Sequence, residues 1–269
     1  MNQSLHNAIR QIFRLRWNLS ADLLVVGLSW LLVTGSLYTA TIIVGPETGG
    51  GLPYFFLYAG LTATLFGVGL PLYWMVVVRR RPLADLGLTT RRLGLSLALQ
   101  AALALWMFAT LREAGLPDWE HLIPLVTLAL AIGFFEAVFW RGWVLLRLEE
   151  AFGLLPALLL GSALYALYHV GYGMPADEIA FLFWIGILFA VIFRLTGSIF
   201  VLWPLFQPMG QLLTLTGEGL ELPLLASLGF VEALAVMLVL VWLAGRYLKK
   251  KGAFESKRPA SLAETGRPA

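Results

Sequence analysis

Apolar residues run through this chain in long stretches, separated by short polar breaks. A helix needs about 20 predominantly apolar residues to cross the hydrocarbon of a bilayer. Stretches of that length occur near 21–44, 54–78, 93–111, 121–147, 154–172, 179–195, 198–216 and 223–245. The pattern predicts an all-α, polytopic transmembrane helical bundle of about eight spans.

The flanks read differently. In residues 1–20, Arg10, Arg14 and Arg16 alternate with Ile9, Ile12, Phe13 and Trp17, which predicts a basic segment lying at the interface as an amphipathic helix. The first apolar stretch is longer than a signal-peptide core and is followed by no small-residue cleavage site, so it is read as a retained span. The tail 249–269 is polar, contains Gly and Pro, and is expected to be disordered. The bundle proper is then 21–248.

Charge fixes an expected orientation. Basic residues sit in the leader, in Arg79-Arg80-Arg81 with Arg91-Arg92, at Arg147 and Arg194, and in Lys249-Lys250-Lys251. The alternate breaks carry Glu47, then Glu113, Asp118 and Glu120, then Asp177 and Glu178, then Glu218 and Glu221, with Arg112 as the exception. The positive-inside rule makes both termini cytoplasmic, which requires an even number of spans. The expected location is a plasma membrane of the prokaryotic inner-membrane kind.

Composition agrees. With 59% hydrophobic and 13% charged residues and a mean hydropathy of +0.81, the chain has too little polar surface to cover a water-soluble globule, and lipid must be its solvent. The net charge of +3 comes from short loops, which suit anionic headgroups and not nucleic acid. The chain has no cysteine, which excludes disulfides, thiol catalysis and thiolate metal sites.

Against this apolar background, an ionisable residue inside a span is a functional candidate. The residues concerned are Glu136, Arg141, His169 and Glu232. Five positions on an α-helix rotate about 140°, so Glu136 and Arg141 do not face one another and each needs another partner. Glu136 lies about 15 residues before the expected turn near Ala151 and His169 about 18 after it; at 1.5 Å per residue their depths nearly match, so acid and imidazole could meet. Tyr165 shares a face with His169, as Gln207 does with Gln211, by the four-residue step. The plain structural readings are a Glu136 paired with an arginine, a histidine reaching interfacial water, glutamines acting as interhelical glue, and Glu232 as a pairing residue.

Glu136 to Gly142, Tyr165 to His169, and Thr196 to Phe200 resemble the membrane-embedded core of the CAAX-protease and bacteriocin-processing (CPBP, or Abi) family. Arg81 to Leu88 is similar to a segment that many members carry, so the likeness covers about residues 80–215. The family pattern has two adjacent glutamates, three residues and an arginine; then phenylalanine, three residues and histidine; then histidine, three residues and asparagine. Glu136, Arg141 and His169 match, and Tyr165 replaces the phenylalanine. Ala137 stands at the second glutamate, and Gln207 with Gln211 offers the last step without an imidazole.

The resemblance implies an intramembrane endopeptidase acting on membrane-associated peptide or protein substrates. Glu136 and His169 would be catalytic, the glutamate activating water, and Arg141, Tyr165, Gln207 and Gln211 would bind substrate or the oxyanion. No metal or cofactor is expected, because Glu136 and His169 fall short of the three protein ligands a catalytic zinc takes. The alternatives are an impaired member that binds membrane peptides or serves as an immunity protein, and a small-solute transporter.

Overall fold

The protein is described by a computed structural model over residues 13–45 and 51–255. The first twelve residues of the expected interfacial segment, and the tail from residue 256, lie outside the described residues. The described chain is helical, with no strand. We number the helices α1 (Ala21–Val44), α2 (Gly51–Val78), α3 (Leu93–Ala114), α4 (Trp119–Phe152), α5 (Leu154–Tyr172), α6 (Ala176–Thr196), α7 (Phe206–Gly217) and α8 (Ala226–Glu255). All except α7 are long and apolar enough to cross a membrane. Their outward faces carry Leu24, Leu31, Trp106, Phe181, Trp184 and Trp242, all exposed, as they must be if lipid is the solvent. The molecule is a multi-pass membrane protein.

The fold is organised around α4, the most deeply buried helix. Asp118 caps its start by accepting from the His121 N–H. α1, α2, α5, α6, α7 and α8 pack around it, and α3 lies against α7. Tryptophans tie neighbours together: Trp143 Nε1 donates to Ser29 Oγ (3.0 Å), Trp30 Nε1 to the Leu164 carbonyl (3.0 Å) and Trp203 Nε1 to the Leu130 carbonyl (3.0 Å).

The expected span 198–216 takes another form. A short turn, Ile199–Val201, leads into the 12-residue α7, which at 1.5 Å per residue is too short to cross alone. The segment still passes from one face of the bundle to the other. Ser198 Oγ donates to the Thr89 carbonyl (2.7 Å) and Ile199 N to that of Gly87 (3.0 Å), whereas Leu212 packs with Leu111 and Leu125 at the other end of α3 and the start of α4. Pro204 and Pro208 explain the break, since each lacks the N–H a continuous helix needs. Leu205 N, freed by the break, donates to Gln100 Oε1 (3.1 Å). Irregular backbone at this depth is tolerated because protein covers it.

Residues 14–20 are not helical. They form an extended strap over the α4–α5 turn, with Arg16 N donating to the Phe152 carbonyl (3.1 Å) and Asn18 N to that of Ala151 (3.0 Å). Gly153, at φ +93°, is required there, because a Cβ would strike the Arg14 carbonyl. Glu232 is exposed on α8, and among the described residues it has no hydrogen-bonded or ionic partner. The pairing expected for it fails because α8 turns only a narrow side, including Ala233 and Met237, towards the bundle.

Candidate active site

Two changes of helical winding bring the polar residues together. At Ala137–Leu145, α4 loosens so that hydrogen bonds join residues five apart. Residues at that spacing then lie about one turn from each other, and Glu136 and Arg141, 140° apart on a regular helix, come within range of each other's charge. Gly142 allows the turn Leu83–Leu86 to dock against this stretch, since a Cβ there would overlap the Leu86 carbonyl. At Tyr168–Tyr172, α5 tightens to a 3₁₀ turn.

Glu136, 1% exposed, is the centre. Its Oε1 accepts from the Tyr168 hydroxyl, and its Oε2 accepts from Gln207 Nε2 (2.6 Å) and Gln211 Nε2 (3.1 Å). Helices α4, α5 and α7 therefore converge on one carboxylate. The four-residue step of Gln207 and Gln211 places both amides on the side of α7 that faces it. Gln207 Oε1 remains buried without a partner.

His169 does not meet the acid. Equal depth does not fix direction, because neighbouring residues on a helix differ by about 100°, and it is Tyr168 that points at Glu136. The His169 ring lies against Tyr168 (4.2 Å between centroids) and Tyr165 (5.1 Å). Its Nδ1–H donates to the Tyr165 carbonyl (2.9 Å), which in the neutral ring leaves the lone pair on Nε2. Helical spacing from His169 points to Tyr165 and not to Tyr168, although Tyr165, Tyr168 and Tyr172 recur at about one helical turn along α5. Tyr172 Oη is in turn bonded to Tyr58 Oη (2.8 Å) on α2.

Arg141, also 1% exposed, stands apart from these bonds. Its Cζ lies 5.0 Å from the Tyr165 ring centre and 5.8 Å from that of Phe189. Neither Nη1 nor Nη2 has a hydrogen-bond partner. Among the described residues no group of three His, Cys, Asp or Glu side chains is placed to hold a metal ion.

A carboxylate surrounded by neutral donors, deep inside a membrane bundle, sits within a segment that can be compared with known families. Residues 118–205 match the family model described as Rce1-like, type II CAAX prenyl endopeptidase Rce1-like. The match supports membership of the CPBP family. It runs over α4, α5 and α6 and includes Glu136, Arg141, Tyr165, Tyr168 and His169, but it ends before Gln207 and Gln211. The CPBP resemblance therefore rests on the acid and imidazole helices. No curated protein and no solved structure matches the chain.

Proposed function

We propose that the protein is a divergent CPBP-type intramembrane endopeptidase of a prokaryotic plasma membrane, in which Glu136 activates water against a peptide bond of a membrane-associated substrate. The observation that carries this reading is the convergence of Tyr168, Gln207 and Gln211 on a buried carboxylate within the Rce1-like segment.

In this reading a water takes the place of one amide on Oε2. Glu136 accepts the proton as the water oxygen attacks the scissile carbonyl carbon. The amide so released, Gln207 or Gln211, donates its N–H to the tetrahedral oxyanion. The proton then passes from Glu136 to the leaving nitrogen, the C–N bond breaks to give a carboxylic acid and an amine, and the acid's proton moves to the amine, leaving Glu136 ionised as at the start. Tyr168 holds Oε1 throughout and fixes the direction of the lone pairs on Oε2. His169 packs on Tyr168 and orients it. Glu136→Gln is expected to lower cleavage of a transmembrane reporter in proteoliposomes by at least about 10²-fold while the protein still folds; undiminished cleavage would sink the assignment.

A second reading has its own support. Both oxygens of Glu136 already accept hydrogen bonds from the protein, an arrangement suited to a rigid binding site as well as to a resting enzyme. As an impaired family member the chain would bind membrane peptides without cutting them. Stoichiometric capture of an intact peptide by the wild type, with no product after long incubation, would select this reading.

A further inference from the structure

A second polar cluster lies away from Glu136, on the basic face of the bundle, where the strap 14–20 runs past the end of α4. It surrounds a cavity of about 290 Å³ whose charged lining sets Arg16, Arg147 and Arg194 against Asp85, Glu149 and Glu150. Three cations meet three carboxylates, so the cavity carries no net charge. Most of these groups satisfy one another. Arg81 holds Asp85 and Glu150, Arg147 reaches Glu150 (3.1 Å), and Arg194 reaches Glu149 Oε1 (3.1 Å). Three positions are left over. Glu149 Oε2 and Arg147 Nε are buried without a hydrogen-bond partner, and Arg147 is only 2% exposed. The exposed Arg16 has no bond to its guanidinium among the described residues, although it lies within range of the Glu149 charge. A groove of about 300 Å³ adjoins this cavity and shares Arg16 with it. Its other walls are apolar: Leu15 and Trp17 of the strap, Phe152 at the end of α4, and Pro156 and Leu160 of α5. The Trp17 and Phe152 ring centres lie 5.4 Å apart, and Leu15, Trp17 and Leu160 are exposed. Pro156 and Leu160 are one turn apart on one face of α5, so the groove follows α5 from the interface into the hydrocarbon.

We propose that cavity and groove together form a binding site for one phosphatidylethanolamine molecule of the surrounding bilayer. Its phosphate meets Arg16 and Arg147 Nε, its ammonium donates to Glu149 Oε2, and one acyl chain lies along the groove between the strap and α5. The charges of this headgroup answer the left-over groups one by one, through charge-assisted hydrogen bonds, which are the strong ones. Each space is at the small end for a ligand site, which suits a headgroup and part of one chain. Other occupants fit less well. Phosphatidylcholine has no N–H to give Glu149. Phosphatidylglycerol brings a net negative charge to a cavity with no net charge to offset it, and charge transferred out of water without compensation is costly. A free phosphate would set an anion beside three carboxylates and leave the apolar groove open.

The test uses the full chain in lipid-free maltoside micelles, with dioleoyl phosphatidylethanolamine, phosphatidylcholine and phosphatidylglycerol offered as an equal mixture. Bound lipid is counted by native mass spectrometry, and the unfolding temperature is read with each lipid alone. Phosphatidylethanolamine should be retained about 10-fold or more over phosphatidylcholine, the worth of one hydrogen bond to a charged group, and should raise the unfolding temperature most. Glu149→Gln, which replaces the carboxylate by a neutral amide, should bring these two lipids level. Arg16→Gln should weaken both to the same extent and keep their ratio, because it removes a phosphate contact and leaves the ammonium contact. Arg16 is exposed and outside every helix, so this variant keeps the fold even where Glu149→Gln does not. Equal retention of phosphatidylethanolamine and phosphatidylcholine by the wild type, absence of binding included, overturns the proposal without need of a variant. So does a preference for phosphatidylglycerol, a preference for phosphatidylethanolamine that survives Glu149→Gln, or lipid retention unchanged by Arg16→Gln. Stabilisation by free O-phosphoethanolamine as large as that by the lipid would show that the groove holds no chain, and would overturn the lipid assignment. None of these readouts involves turnover, so the result at Glu136 leaves this one standing or falling by itself.

Discussion

At the scale of single residues, the bonds to Glu136 make distinct demands. Tyr168 supplies the hydrogen bond to Oε1, so Tyr168→Phe removes one donor from a buried acid and leaves the ring packing almost intact. The expected cost is about 1–3 kcal/mol of stability, the usual penalty for orphaning a buried acceptor, together with a fall in cleavage of about 10²-fold if Tyr168 orients the base. Thermal unfolding and reporter cleavage on the same preparation check both; a variant as active as the wild type would remove Tyr168 from the machinery. Gly142 tests packing in place of polarity. A methyl group at this position would enter the space of the Leu86 carbonyl, and backbone cannot move aside as a flexible side chain can. Gly142→Ala should destabilise by about 1–3 kcal/mol or more, and an unchanged unfolding temperature would contradict the close approach of the Leu83–Leu86 turn to α4.

At the scale of elements, what was legible in the sequence was depth, and what was not was direction. Apolar length located α1 to α6 and α8, and Glu136 and His169 do lie on adjacent helices. Their failure to meet follows from azimuth, which changes by about 100° per residue and is further shifted where α4 loosens at Ala137 and α5 tightens at Tyr168. No apolar pattern encodes such winding changes. The glutamine step was readable, because Gln207 and Gln211 need only one regular turn between them, and α7 supplies it. The break before α7 was signalled by Pro204 and Pro208, but hydropathy counts those residues without noticing their missing N–H groups.

Elements also meet through charge on the basic face. Arg81 bonds both Asp85 (2.6 Å) and Glu150 (2.6 Å), and the same Glu150 reaches Arg147 (3.1 Å). Arg81 and Glu150 are 30% and 43% exposed, so solvent screens them and their coupling in a double-mutant cycle should be no more than about 1 kcal/mol. Arg147 is buried, and its replacement by Ala leaves the Asp85 carbonyl and Glu150 without their shared donor. That change should cost more than either Arg81→Ala or Glu150→Ala, by denaturation in micelles at low salt. A coupling well above 1 kcal/mol for the exposed pair would show that the network acts as one buried unit.

For the whole molecule, the number of crossings decides where the ends of the bundle lie. Asp22 at the start of α1 pairs with Arg79 at the end of α2 (2.9 Å), and Leu243 and Tyr247 near the end of α8 share a groove with Tyr73 and Val77 of α2. Both ends of the bundle therefore lie on the face that carries the Arg79–Arg92 connection. Seven long helices alone would place them on opposite faces. The broken segment 198–217 supplies the missing passage, from Gly87 and Thr89 to Leu111 and Leu125. The cysteine-free sequence makes this directly measurable, since each introduced thiol is the only one present. Single cysteines at Arg80, Arg91 and Lys250 should react with a membrane-impermeant maleimide from one side of sealed vesicles, and cysteines at Glu113, Asp177 and Glu218 from the other. The positive-inside rule predicts that the first group reacts from the cytoplasmic side. Labelling of Arg91 and Glu218 positions from the same side would mean that 198–217 dips into the bundle and returns. That result would undo the even count, and with it the presentation of Gln207 and Gln211 to Glu136 from a segment that traverses the membrane.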